Sequence, residues 1–77
     1  MDYEVSVGLK PDVLDPEARA ICDSLSRLGY KTIKSIKIKK LYILETLEAE
    51  DTSDEVSDIA AKHLTNSVSE TFEVIKR

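Results

Sequence analysis

Seventy-seven residues, 42% hydrophobic and 34% charged, make one folded domain over residues 1–77 rather than a disordered chain. A single cysteine excludes a disulfide framework, and glycines at 8 and 29 alone exclude the G-x-G-x-x-G and Walker phosphate loops. The formal net charge of −4 argues against nucleic acid as the main partner. A domain of this size buries only about 60% of its unfolded surface. With no disulfide or metal cluster to compensate, oligomerisation is the expected remedy.

Tyr3, Val5, Val7 and Leu9 alternate with Glu4, Ser6 and Gly8, which predicts a first strand with one buried face. Gly8 marks a bulge or a close backbone approach. Lys10-Pro11-Asp12 is a turn, since Pro11 has no N–H for a continuing ladder. Asp15-Pro16-Glu17 opens a helix. Asp15 can cap free N–H groups, Pro16 suits the first helical position and Glu17 favours the positive end of the dipole. Ala18, Ile21, Cys22, Leu25 and Leu28 then form an apolar stripe, and Gly29 is the expected left-handed terminator, so the helix is placed over Pro16–Leu28. On that stripe Cys22 reads as a small buried hydrophobe.

Thr32–Leu47, TIKSIKIKKLYILETL, is rich in β-branched and aliphatic residues and has no Gly or Pro. Sixteen residues of strand at about 3.3 Å each span roughly 50 Å, whereas a 77-residue globule is roughly 30 Å across. The stretch must therefore bend, double back or reach another chain. Ile36 and Ile38 alternate with lysines. Beyond Lys40, Leu41 and Ile43 occupy the phase the lysines held, while Tyr42 and Leu44 keep the original one. The second half is thus apolar on both faces, and a bulge or turn near Lys39-Lys40 is expected. If the stretch stays long, its far half is expected to pair across a subunit boundary.

Glu48–Asp51 is an acidic connection. Thr52-Ser53-Asp54-Glu55 fits a capping box, with Thr52 capping and Glu55 reaching back. Val56, Ile59, Ala60, His63 and Leu64 form a second helical stripe, and Asn66 is placed at its C-terminal cap. Val68, Phe72 and Val74 predict a last strand, with Lys76 and Arg77 frayed. The order is strand, helix, long or doubled strand, helix, strand: an α+β, ferredoxin-like β-α-β(β)-α-β arrangement, two helices on one face of an antiparallel sheet.

Chemistry is sparse. One His and one Cys cannot make the usual zinc site. Lys31, Lys34, Lys37, Lys39 and Lys40 crowd one decade, which reads first as a solvated, aggregation-resistant sheet face. No basic-then-apolar leader opens the chain and the longest apolar run is Leu41–Leu44, so a cytoplasmic location is expected.

Two passages resemble a known family. Gly8-Leu9-Lys10-Pro11-Asp12-Val13-Leu14-Asp15-Pro16, with Leu28-Gly29-Tyr30 downstream, looks like the opening of PurS, the small subunit of phosphoribosylformylglycinamidine (FGAM) synthase. His63-Leu64-Thr65-Asn66-Ser67-Val68 and Glu70-Thr71-Phe72-Glu73-Val74 are similar to that family's passage from helix to last strand. Two positions depart from the family's habit: Ala18 where glycine is frequent, and Lys39-Lys40 where a Gly-Lys pair is frequent.

The resemblance implies an intertwined homo-oligomer, dimer or tetramer, that joins a large ATP-dependent synthetase subunit (PurL) to a glutaminase subunit (PurQ). The assembled ligase makes FGAM from formylglycinamide ribonucleotide, glutamine and ATP. By the same implication no catalytic, cofactor or metal site lies on this chain, and ATP and magnesium belong to the large subunit. By position, Lys37, Lys39, Lys40, Leu41 and Tyr42 are the expected interface residues, while Lys10, Asp15 and Asn66 hold turns and helix ends. Two rival readings are an ACT-like regulatory domain binding an amino acid near Gly8–Asp12, and, more remotely, a nucleic-acid binder using the lysines.

Overall fold

The computed structural model describes residues 1–47 and 50–77; Glu48 and Ala49 of the acidic connection lie outside the described residues. The elements are β1 (Asp2–Leu9), α1 (Pro16–Arg27), β2 (Lys39–Glu45), α2 (Ser53–Ile59), a π-helical turn (Ala60–Leu64) and β3 (Glu70–Lys76). The strands form one antiparallel sheet in the order β2-β1-β3. The α+β class and the antiparallel sheet expected from the side-chain pattern are present.

Register places the core. Tyr3, Val5 and Val7 sit opposite Leu44, Tyr42 and Lys40 on one side and Lys76, Val74 and Phe72 on the other. Directly paired residues share a face, so the β1 alternation gathers Tyr42, Leu44, Phe72 and Val74 around three fully buried side chains. Val56 of α2 and Ala60 of the π-helical turn close that face and Leu64 extends it. Each buried Val or larger side chain stabilises by about 1.5–3 kcal/mol. The opposite face carries Glu4 and Ser6 beside Leu41, Ile43 and Ile75, all three exposed.

The second helix starts differently from the expected capping box. Thr52 makes no side-chain capping bond. Asp51 supplies the acceptor instead: its Oδ1 takes the Ser53 N–H at 2.9 Å and the Tyr3 hydroxyl at 3.0 Å. The same Tyr3 oxygen accepts the Thr52 N–H at 2.8 Å, so the core tyrosine ties β1 to the start of α2. The Ser53 backbone bond, aided by the Ser53, Tyr3 and Lys76 side chains, holds the Asp51 carboxyl well below the usual carboxylate range.

The chain end is fixed, not frayed. Lys76 belongs to β3 and pairs with Asp51 at 3.3 Å. Arg77 donates its backbone N–H to Asp2 O and pairs with Glu4 at 2.6 Å. The last strand begins at Glu70, leaving Val68 exposed in the preceding turn.

The middle stretch divides at Lys39. From there to Glu45 it pairs residue for residue with Asp2–Gly8, with no bulge. Residues 30–38 join neither strand nor helix. It is thus the near half, rather than the far half, that is left without a partner in the chain. The radius of gyration is 16.1 Å and the extents are 50 × 25 × 13 Å, against about 11–12 Å for a compact chain of this length. The molecule is a small sheet-and-helix body with a long arm.

Candidate interaction surface

The arm is built by α1 and residues 30–38. Asp15 caps α1: its Oδ1 accepts the Glu17 and Ala18 N–H groups, both at 3.1 Å. At the other end Gly29 takes φ +100°, where a side chain would be strained. Leu28 N–H returns to Ser24 O, Tyr30 N–H to Leu25 O, and Lys31 Nζ donates to Ser26 O at 2.8 Å, closing the helix C-terminus.

The helix buries only Ala18. Ile21 is 41% exposed, Leu28 72% and Tyr30 61%, although these residues lie on or next to the apolar stripe. Cys22 is half-buried, not sealed in a core, with its Sγ 3.9 Å from the Lys34 carbonyl. The physical reason is topological. The core under the sheet is closed by α2, whereas α1 stands beside residues 34–39, which return past Cys22 to Lys39 opposite Gly8 and leave an open cleft between them.

The interface residues expected from position fall at the root of the arm. Lys37 is exposed on the unpaired segment, Lys39, Lys40 and Leu41 are exposed on β2, and Tyr42 is half-buried against the core. Gly8 explains Lys39 in part: a Cβ at Gly8 would stand 3.0 Å from Lys39 Cγ, so the glycine is a close approach and makes no bulge. Lys10 holds the turn through its backbone, donating to Ser69 O and accepting from Val13 N–H. Asn66 lies beyond the π-helical turn. Its carbonyl accepts the Ser69 and Glu70 N–H groups and its Oδ1 that of Val68, so it shapes the entry to β3. Sequence reasoning placed Tyr3 on the buried face but missed its hydroxyl link to Asp51 and Thr52, and missed the Glu4–Arg77 pair. Their contacts join residues far apart in the chain, which no local pattern displays.

Between the β1–α1 turn, α1 and residues 34–39 lies an open cleft of about 590 Å³, lined by Gly8, Pro11, Val13, Ala18 and Cys22 among others. A second groove of about 310 Å³ runs along β2 and α2 between Leu44, Leu47, Val56 and Ile59, rimmed by Glu45 and Glu55. Among the described residues no group of three or more His, Cys, Asp or Glu is arranged to hold a metal ion, and no helix is long and apolar enough to cross a membrane. His63 is exposed on the π-helical turn.

A sheet-and-helix body with its own core, joined to an amphipathic arm with uncovered apolar residues, defines the class: a small α+β assembly subunit. The family model described as PurS, phosphoribosylformylglycinamidine (FGAM) synthase, matches residues 2–77, and the chain belongs to that family, the PurS subunit of a purine-biosynthetic ligase.

Among its relatives, the PurS subunit of Synechocystis is 37% identical over 71 residues, covering 88% of this chain and 70% of that protein. The Archaeoglobus fulgidus subunit is 29% identical over 79 residues, covering 100% of this chain and 99% of its own. The crystal structure of Methanocaldococcus jannaschii PurS, described as one of the subunits of formylglycinamide ribonucleotide amidotransferase, superposes with a TM-score of 0.85. It is 29% identical and covers 96% of this chain and 92% of that one. The structure of PurLQS from Thermotoga maritima shares the fold, with a TM-score of 0.79 at 20% identity over 99% of this chain and 95% of that one.

Proposed function

We propose that this chain is the structural subunit of FGAM synthase. In this reading, copies of it join each other and hold a glutaminase (PurQ) and an ATP-dependent synthetase (PurL) together, so that ammonia released from glutamine reaches formylglycinamide ribonucleotide without being lost to water. The chemistry, with ATP and magnesium, belongs to the larger subunits, and the assembly works in the cytoplasm. The observation that carries the reading is an amphipathic helix and arm left uncovered in a chain matching PurS over residues 2–77. An exposed apolar stripe in a small domain calls for a protein partner. Lys37, Lys39, Lys40, Leu41 and Tyr42 are the proposed contacts.

Reconstitution tests this. Synthetase and glutaminase from the same organism are assayed for glutamine-dependent FGAM formation with and without this chain. Strong dependence on the chain is expected, while the synthetase alone keeps activity with ammonia. Equal glutamine-dependent rates in its absence would overturn the assignment.

The open cleft lies where the ACT-like reading would seat an amino acid. A ligand at 100 times its Kd stabilises by about 2.7 kcal/mol, so a thermal-shift screen with amino acids separates the readings. No shift is expected for an assembly subunit.

A further inference from the structure

The open cleft between the β1–α1 turn, α1 and residues 34–39 is charged opposite to the chain that forms it. Lys10, Arg19, Lys34, Lys37 and Lys39 line it, against two carboxylates, Asp15 and Asp23. The whole chain carries a formal net charge of −4. One of those carboxylates is already engaged, since Asp15 Oδ1 accepts the Glu17 and Ala18 N–H groups. Among the described residues the ion pairs are Lys62–Asp58, Lys76–Asp51 and Arg77–Glu4, so no carboxylate holds any of the five cations. Unpaired cations gathered around a concave surface focus their field there and attract anions.

The cleft is more than a charged rim. Leu9, Val13, Ala18 and Ile36 give it an apolar lining. Its volume of about 590 Å³ lies within the range of small-molecule sites, roughly 300–1,000 Å³. Gly8 is buried, and a Cβ there would stand 3.0 Å from Lys39 Cγ and 3.2 Å from Lys39 Cε. The Lys39 stem therefore lies across a stretch of backbone cleared for it. Lys10 uses only its backbone to hold the turn, which leaves its ammonium free for the cleft.

We propose that this cleft binds a small phosphorylated organic molecule of nucleotide size. Lys10, Arg19 and the lysines of residues 34–39 take the phosphate, ammonium groups as point charges and the guanidinium as a two-pronged donor. The organic body lies on Val13, Ala18 and Ile36. An inorganic anion would leave that apolar lining wet, and a neutral molecule would leave the cations unpaired. A free amino acid fits less well, because it brings its own ammonium into a cationic site. Lys10, Arg19 and Lys34 are not among the proposed subunit contacts, so the site stands or falls separately from the assembly reading.

Calorimetric titration of the purified chain tests it, with adenosine monophosphate as the probe beside adenosine and inorganic phosphate. Saturable binding of the nucleotide is expected, about tenfold or more tighter than that of either fragment, and weakened by added salt. An Arg19→Gln, Lys34→Gln chain is expected to lose about tenfold or more in affinity for the nucleotide. A Lys31→Gln, Lys62→Gln chain, which removes the same charge outside the cleft, is expected to bind as the wild type does. No saturation at millimolar nucleotide, equal affinity for inorganic phosphate, or equal losses in the two double variants would each overturn the proposal. If the Arg19→Gln, Lys34→Gln chain does not fold, amide chemical shifts of the wild type titrated with the nucleotide decide. Changes centred on Gly8, Ala18 and Ser35 are expected, and changes centred elsewhere defeat the assignment.

Discussion

The two helices start from similar sequence and end in opposite circumstances. Both are capped by an aspartate near the N-terminus and both carry a stripe of aliphatic residues. The stripe running through α2 and the π-helical turn is buried at Val56 (2% exposed) and Ala60 (0%), while Ile21 on α1 is left open. Amphipathicity says that a helix needs a surface to cover; it does not say whose. That is decided by the connection. Tyr3, through its bonds with Asp51 and Thr52, sets α2 on its own sheet, whereas α1 faces residues 34–39 across an open cleft.

Substitutions in the two halves should therefore fail differently. The largest effect is expected for Tyr3→Ala. It empties the core beneath α2 and strips the partner from the Thr52 N–H, at a cost of about 3–5 kcal/mol, measured as a lowered urea midpoint. Loss of fold is the outcome; a stable chain with weakened self-association would contradict the division.

Next comes Ile21→Glu, which should leave the sheet-and-helix body folded but weaken association on the order of 30-fold, the scale of a 2 kcal/mol interface residue. Sedimentation across a concentration series reads it against an unchanged near-ultraviolet tyrosine spectrum. Gly29→Ala, at φ +100°, should cost about 1 kcal/mol by forcing a side chain into a left-handed position. It should appear as fraying of the α1 terminus in amide exchange.

Asp51→Ala gives the smallest effect at neutral pH and the clearest pH signature. The Asp51 carboxyl is depressed when folded, so its contribution is full above the ordinary value near 3.9 and fades as pH falls toward the lowered one. The wild type should lose stability in that acid window faster than the variant, and parallel curves would remove Asp51 from the account.

How much of this was legible beforehand follows the range of each interaction. The β1 alternation and the Asp15-Pro16 to Gly29 helix are local signals, and both appear in the structure as read, to within a residue at each end. The middle stretch announced its excess length and two apolar faces. Which half would pair with β1 was not readable, because ladder partners are chosen by contacts across the fold. The capping box failed because Asp51 and Thr52 are adjacent acceptors, and only the buried Tyr3 hydroxyl, 48 residues from Asp51, selects between them. Lys76 and Arg77 looked like a loose end because Asp51 and Glu4, which hold them, are distant in sequence.

The central claim is that half of this molecule is completed by another copy. Sedimentation equilibrium of the purified chain at micromolar concentration tests it most directly. A species of at least twice 8.6 kDa is predicted; a single 8.6 kDa species at every concentration would contradict it.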